Sequence, residues 1–117
     1  MSIQIMTTKT MTFAAMCALA LLPAAPTLAQ QVASVELTYS HGAFQPKEVH
    51  APANHPVVFH VKNMDPKAME FESTSLRVEK VVAAKSQGIV NVRPLSPGRY
   101  QFYDDFNQQA RGFLIVQ

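Results

Sequence analysis

The chain has 117 residues, of which 15% are Asp, Glu, Lys or Arg, and carries a formal charge of +2 at pH 7. A balance this close to neutral gives no footing for a nucleic-acid or anionic-membrane partner, and the length allows one modest core. The one cysteine, Cys17, excludes an intrachain disulfide.

Lys9 is the only charge before Glu36, and the run from Met11 to Leu22 is apolar and uncharged. Such a run fits the apolar region of a signal peptide and is too short for a membrane-spanning helix, which needs about 20 apolar residues. Pro23, Pro26 and the small residues of Thr27-Leu28-Ala29 end it, so cleavage is predicted after Ala29. Residues 1–29 are then a signal peptide and 30–117 a single exported domain, placed in the periplasm and without membrane insertion. Its charge falls to about +1, since Lys9 leaves with the peptide. Cys17 leaves too, and thiolate nucleophiles and thiolate metal ligands leave with it.

Val35, Leu37 and Tyr39 alternate with Glu36 and Thr38, and Val57, Phe59 and Val61 alternate with Val58, His60 and Lys62. Period two predicts half-buried strands. Leu76 to Glu79, Gly88 to Val92, Tyr100 to Phe102 and Phe113 to Val116 add shorter strands. Gly42, Pro46, Pro52-Ala53-Asn54, Asp65-Pro66, Gly88 and Pro94 to Gly98 break the chain at intervals suited to turns. The pattern predicts an all-β Greek-key sandwich of about seven or eight strands. The only helical turn expected is at Asp65 to Ala68, with Asp65 as cap and Pro66 at the first helical position.

The order Asn63-x-Asp65, an aromatic strand, Pro97-Gly98-x-Tyr100-x-Phe102, an acidic loop and Gly112-x-Leu114-x-Val116 resembles a cupredoxin over almost the whole predicted domain. The blue-copper members carry Cys, His and Met in the loop after the Tyr-x-Phe strand, and an earlier His two residues before a core aromatic. Matched on those motifs, this chain has Met69 at the first His, Asp104 at the Cys, Asn107 at the second His and about Ala110 at the Met. A type 1 site needs a thiolate and two imidazoles, so the resemblance implies the fold without the blue centre. A closer resemblance is to the cupredoxin-like group found with bacterial high-affinity iron permeases. It rests on Asn63-x-Asp65, Glu70 to Ser73, Leu76, Glu79 to Val82 and Pro94-Leu95-x-Pro97-Gly98-x-Tyr100-x-Phe102. That group usually has an acid and a His in the loop; here the acid is kept as Asp105 and the His is replaced by Asn107.

Glu70 and Glu72 are two apart, so on a strand they share a face about 6.5–7 Å apart, with Phe71 opposite, and their oxygens suit a hard ion. Asp104 and Asp105, with Met69 or Met64, would complete a mixed oxygen and thioether site. The predicted metal residues are therefore Met69, Glu70, Glu72, Asp104 and Asp105, and the ion copper or iron. The plainer alternative makes the acids a solvated strand face and turn, and the methionines core fillers. His41, His50, His55 and His60 are read as structural, although His50 and His60 would face one another if their strands paired. No serine sits in a nucleophile elbow and no glycine loop cradles phosphate, which speaks against a hydrolytic enzyme.

The resemblance implies an accessory protein of iron or copper uptake, not itself an enzyme. Its expected partner is a membrane iron permease or another periplasmic uptake protein. Two further readings are a metal-free interaction module docking to the permease system and a metal-dependent ferrous oxidase or electron carrier.

Overall fold

The computed structural model describes residues 2–4, 14–25 and 31–117. Part of the predicted apolar signal segment and the whole predicted cleavage site lie outside the described residues. Residues 14–25 form no regular element, and no helix among the described residues is long and apolar enough to cross a membrane.

From Ala33 onward the chain folds into strands β1 (Ala33–Ser40), β2 (Ala43–Gln45), β3 (Glu48–Ala51), β4 (Val57–Asn63), β5 (Met69–Ser73), β6 (Val78–Val82), β7 (Gln87–Val92), β8 (Gly98–Asp104) and β9 (Asn107–Val116). They form two sheets, ordered β2-β1-β4-β7 and β3-β9-β8-β5-β6. Two pairings are parallel, β1 with β4 and β3 with β9, and the rest are antiparallel.

The expected all-β sandwich is the observed fold, with nine strands rather than seven or eight. The additions are β2 and β3, of 3 and 4 residues, too short to show alternation between Gly42, Pro46 and Pro52. Leu76 is buried in the turn before β6, not on a strand. The helical turn at Asp65 to Ala68 does not form. Asp65 faces another loop: its carboxylate accepts the backbone amides of His41 at 2.6 Å and Gly42 at 2.9 Å. His50 and His60 do not meet, because β3 and β4 belong to different sheets.

The core forms where the inward residues of both sheets interdigitate. Phe44, Phe59, Phe71 and Phe102 are fully buried there and pack with ring centroids 5.1–6.3 Å apart. Truncating a buried Phe to Ala costs about 3–5 kcal/mol. Gly112 on β9 makes room for this cluster: a Cβ there would lie 2.4 Å from the Phe102 ring and 2.9 Å from the Lys47 carbonyl oxygen. Buried Asn63 fastens one end of the sandwich. Its amide donates to the carbonyls of Lys67 at 2.8 Å and of Val82 and Ala83 at 3.2 Å, while its oxygen accepts the Asp65 amide at 3.0 Å.

Candidate functional site

Two acidic groups lie on neighbouring strands of the five-stranded sheet. Pairing of Phe71 with Asp104 and of Glu72 with Tyr103 sets their positions. Alternation along β8 turns Asp104 inward with Phe102, and alternation along β5 turns Glu70 and Glu72 outward, away from Met69 and Phe71.

Asp104 is only 2% exposed and its carboxylate is surrounded by donors. Oδ2 accepts the Tyr39 hydroxyl at 2.6 Å; Oδ1 accepts the backbone amides of Glu70 at 2.9 Å and Phe106 at 3.0 Å. Burial and the bond to Asp104 push the Tyr39 phenol up to about 12. Beside this pair opens a cavity of about 470 Å³, lined among others by Tyr39, His41, Asp65, Asp104, Phe106 and Asn107. Its rim includes the left-handed turn His41-Gly42, with φ of 52° and 68°. The Gly42 amide, and then that of His41, hold the Asp65 carboxyl below its ordinary range against the opposing effect of desolvation.

The outward face is different. The β5–β6 hairpin sets Glu79 directly across from Glu72, and the carboxylates of Glu70, Glu72 and Glu79 offer oxygens that all lie within 4.8 Å of one another. Among the described residues no Lys or Arg pairs with them; the ion pair present is His50 with Glu48, at 3.7 Å on β3. Desolvation first, then the charges of Glu79, Asp105 and Asp104, raises the Glu70 carboxyl above its ordinary value. Desolvation and then Asp105, Glu70 and Glu79 raise Glu72 in the same way.

Glu70, Glu72 and Asp105 thus share one surface, whereas Met69 is fully buried in the core and Asp104 lies beneath the sheet. The five predicted residues do not converge on one point. Sequence reasoning missed Glu79 as a member of the cluster; the signal lay in the hairpin itself, since a tight turn between Ser73 and Val78 forces 72 opposite 79. Among the described residues no histidine joins the carboxylates. His41 lines the cavity, and His60 lies on the outer face of β4 between Glu36 and Ile89.

A blue-copper centre does not fit. The position matched to the thiolate holds Asp104, with both oxygens engaged, and the positions matched to the imidazoles hold Asn107 and the core residue Met69. A soft thiolate and two imidazoles are what that centre requires.

Comparison with known proteins agrees with this architecture. The family model described as a cupredoxin-like domain matches residues 11–116. An uncharacterized protein of Rickettsia prowazekii (strain Madrid E) is 34% identical over 86 residues, covering 73% of this chain and 69% of the relative. Among solved structures, the metal-binding domain of the Cu(I)-exporting P-type ATPase CopA of Streptococcus pneumoniae D39, determined with Cu(I), is similar with a TM-score of 0.68 at 12% identity, covering 78% of this chain and 91% of that one. Auracyanin A, a blue copper protein of Chloroflexus aurantiacus, gives 0.64 at 12% identity, covering 74% of this chain and all of its own. At such identities the likeness shows the fold. The two-sheet sandwich, its sequence motifs and the family match together establish that this chain belongs to the cupredoxin-like domain family.

Proposed function

We propose that this is an exported, periplasmic accessory protein of metal uptake that takes a copper(II) or iron ion weakly on the outer face of the β5–β6 hairpin. The observation carrying the reading is the trio Glu70, Glu72 and Glu79, three carboxylates within 4.8 Å of one another and, among the described residues, unpaired with any Lys or Arg. Three like charges this close repel, and a cation relieves the repulsion. Oxygen donors on an open surface favour hard or borderline ions held with water in the remaining positions. The metal-binding members among its structural relatives support the same reading by analogy of fold.

Calorimetry and electron paramagnetic resonance with Cu(II) and with ferrous or ferric iron test it. Binding with a signal from oxygen-ligated Cu(II), weakened in Glu72→Gln and without the intense thiolate-to-copper absorption of a type 1 site, is expected. Binding unchanged by Glu72→Gln and Glu79→Gln would overturn it. A second reading, a metal-free module docking to a membrane iron permease, draws on Asp104: a hydrogen-bonded carboxylate closes the end of the sandwich where the blue-copper relatives have their centre. Co-purification with the permease by the metal-free protein, retained in Glu72→Gln, would favour this module. The signal peptide is checked by the mass of the periplasmic form, expected to begin at Gln30.

A further inference from the structure

Four strands lie at sheet edges, and three of them carry a feature that discourages a further strand from adding on. β2 has 3 residues and is followed by Pro46; β3 has 4, between Pro46 and Pro52, with Glu48 and His50 exposed; β6 carries Glu79 of the repelling trio. β7 has none of these: Gln87–Val92 contains neither charge nor proline, and its outward Ile89 is 55% exposed. The Asn63 amide donates to the Ser86 carbonyl, and continuing that ladder turns the backbone groups of Gln87, Ile89 and Asn91 away from β4. Among the described residues no strand takes them, and such a row is a template for another strand. The row also fits itself. Antiparallel pairing about a twofold axis at Ile89, normal to the sheet, sets Ile89 against Ile89 of a second copy, Gln87 against its Asn91 and Gly88 against its Val90. Lys62, beside Gln87 on β4, then lies across from Val58 of the second copy, so no like charges meet on the outer face.

One residue beneath this edge breaks the alternation of its own strand. The inward positions of β6 are Val78, Lys80 and Val82, paired with Ser73, Phe71 and Met69, and the middle one holds a lysine where the pattern calls for an apolar side chain. Lys80 lies against β7: a Cβ on Gly88 would sit 3.7 Å from Lys80 Cγ and 2.8 Å from Val82 Cγ2, so the bare backbone at Gly88 lets β6 and the lysine stem come close. The residue stays exposed, and among the described residues no carboxylate pairs with it. From this arrangement we infer that Lys80 guards the β7 edge against a second copy of the chain. Gly88 is one residue from the axis, so pairing would bring the ammonium groups of both copies together under the joint. Their repulsion opposes the backbone hydrogen bonds that the joint would gain. An inward charge at an edge is one of the devices by which sheets avoid adding strands, and here it stands on the neighbouring edge strand because β7 carries no charge of its own.

This inference does not rest on metal binding, and the test uses protein stripped of metal by a chelator. Lys80→Met keeps the length of the side chain and drops its charge. At low salt, sedimentation equilibrium should show it self-associating at least about 10-fold more strongly than wild type, the size of one close like-charge repulsion. The amides of Gln87, Ile89 and Asn91 should then exchange with solvent more slowly than in wild type. Lys80→Arg, which keeps the charge, should associate no more than wild type. Ile89→Lys added to Lys80→Met puts a charge on β7 itself and should return the monomer. A Lys80→Met that associates no more than wild type, a Lys80→Arg that associates like Lys80→Met, or a double variant that still associates would each overturn the inference. So would association of Lys80→Met that slows exchange elsewhere and not on β7. Should Lys80→Met fail to fold, Lys80→Gln, neutral and polar, takes its place with the same outcomes.

Discussion

Asp104 and Glu72 lie on paired strands of one sheet, one residue out of step, and have opposite fates. Asp104 points inward and meets three donors; Glu72 points outward and meets other carboxylates. The same functional group is thereby a fastener on one face and a candidate ligand on the other. The difference teaches that acidity in a loop matched to a metal loop says little until the face is known. A carboxylate whose lone pairs are already taken by amides and a phenol has little left for an ion, whereas one held beside like charges gains from an ion's arrival.

The largest effect expected from this contrast is on stability. Asp104→Ala removes a charge-assisted acceptor and leaves the Tyr39 hydroxyl and the Glu70 amide without their partner. At about 1.5–3 kcal/mol per bond to a charged group, the loss should reach about 3–5 kcal/mol, a large share of what so small a domain possesses. Asp104→Asn keeps the shape and part of the bonding and should cost less. Urea denaturation at neutral pH measures both. Equal small losses would mean that Asp104 is as dispensable as an exposed acid, and the comparison would fail.

Next comes the cavity beside that fastener. Asn107 lines it together with His41, and a carboxamide is a poor ligand where an imidazole is a good one. Asn107→His places an imidazole beside His41 in this cavity, apart from the outward glutamates, and should raise Cu(II) affinity there about 10–100-fold, the order seen when one supporting group of a metal site changes. Calorimetry on this variant, alone and with Asp105→Ala, checks it. Affinity equal to wild type in both would show that the loop is no metal site even when given its imidazole.

A smaller effect follows from the phenol. Tyr39→Phe deletes one buried hydrogen bond and should cost about 1–2 kcal/mol. The pH dependence has a definite sign. Because the folded phenol titrates at about 12 rather than the ordinary 10.0, its contribution is full below pH 10 and is lost as pH rises toward 12. Wild type should therefore lose stability across that window more steeply than Tyr39→Phe, as thermal melts at stepped pH would show. Parallel curves would mean that Tyr39 is not held protonated by burial and Asp104.

Much of this could be read from residue order. The alternation of Val35, Leu37 and Tyr39 and of Val57, Phe59 and Val61 marks strands, because a half-buried strand needs that period and little else produces it. The outward Glu70 and Glu72 around buried Phe71 follow from the same rule. Pairing does not follow from it. Nothing in β1 or β4 announces that they run parallel, so neighbours across the sandwich, and with them the separation of His50 from His60, appear only in three dimensions. Asp65 shows a second limit: its local context favours a helix cap, yet the His41-Gly42 turn, more than 20 residues earlier, takes its carboxylate instead. For the candidate site, the sequence identified the acids but could not divide them between the two faces at the end of β8, where inward Asp104 and outward Asp105 are neighbours in the chain.

The finest distinction concerns whether the outward carboxylates act as a unit. In the folded chain Glu70 and Glu72 hold their protons more tightly than in the unfolded one. Their contribution to stability is then fully present below the ordinary glutamate range and is lost as pH rises through their folded values, the reverse of a salt-bridged acid. Glu79→Gln removes one of the repelling charges and leaves desolvation, the larger cause, in place. The titration midpoints of Glu70 and Glu72, followed by carboxyl carbon resonances, should therefore move down toward the ordinary value without reaching it. A Lys introduced as Glu79→Lys should move them further, since attraction replaces repulsion. Asp104→Asn removes a Coulombic neighbour of Glu70 alone, and should lower Glu70 while leaving Glu72 almost where it was. If Glu79→Gln moves neither resonance, the three carboxylates do not sense one another, and the repulsion that an ion is supposed to relieve is absent.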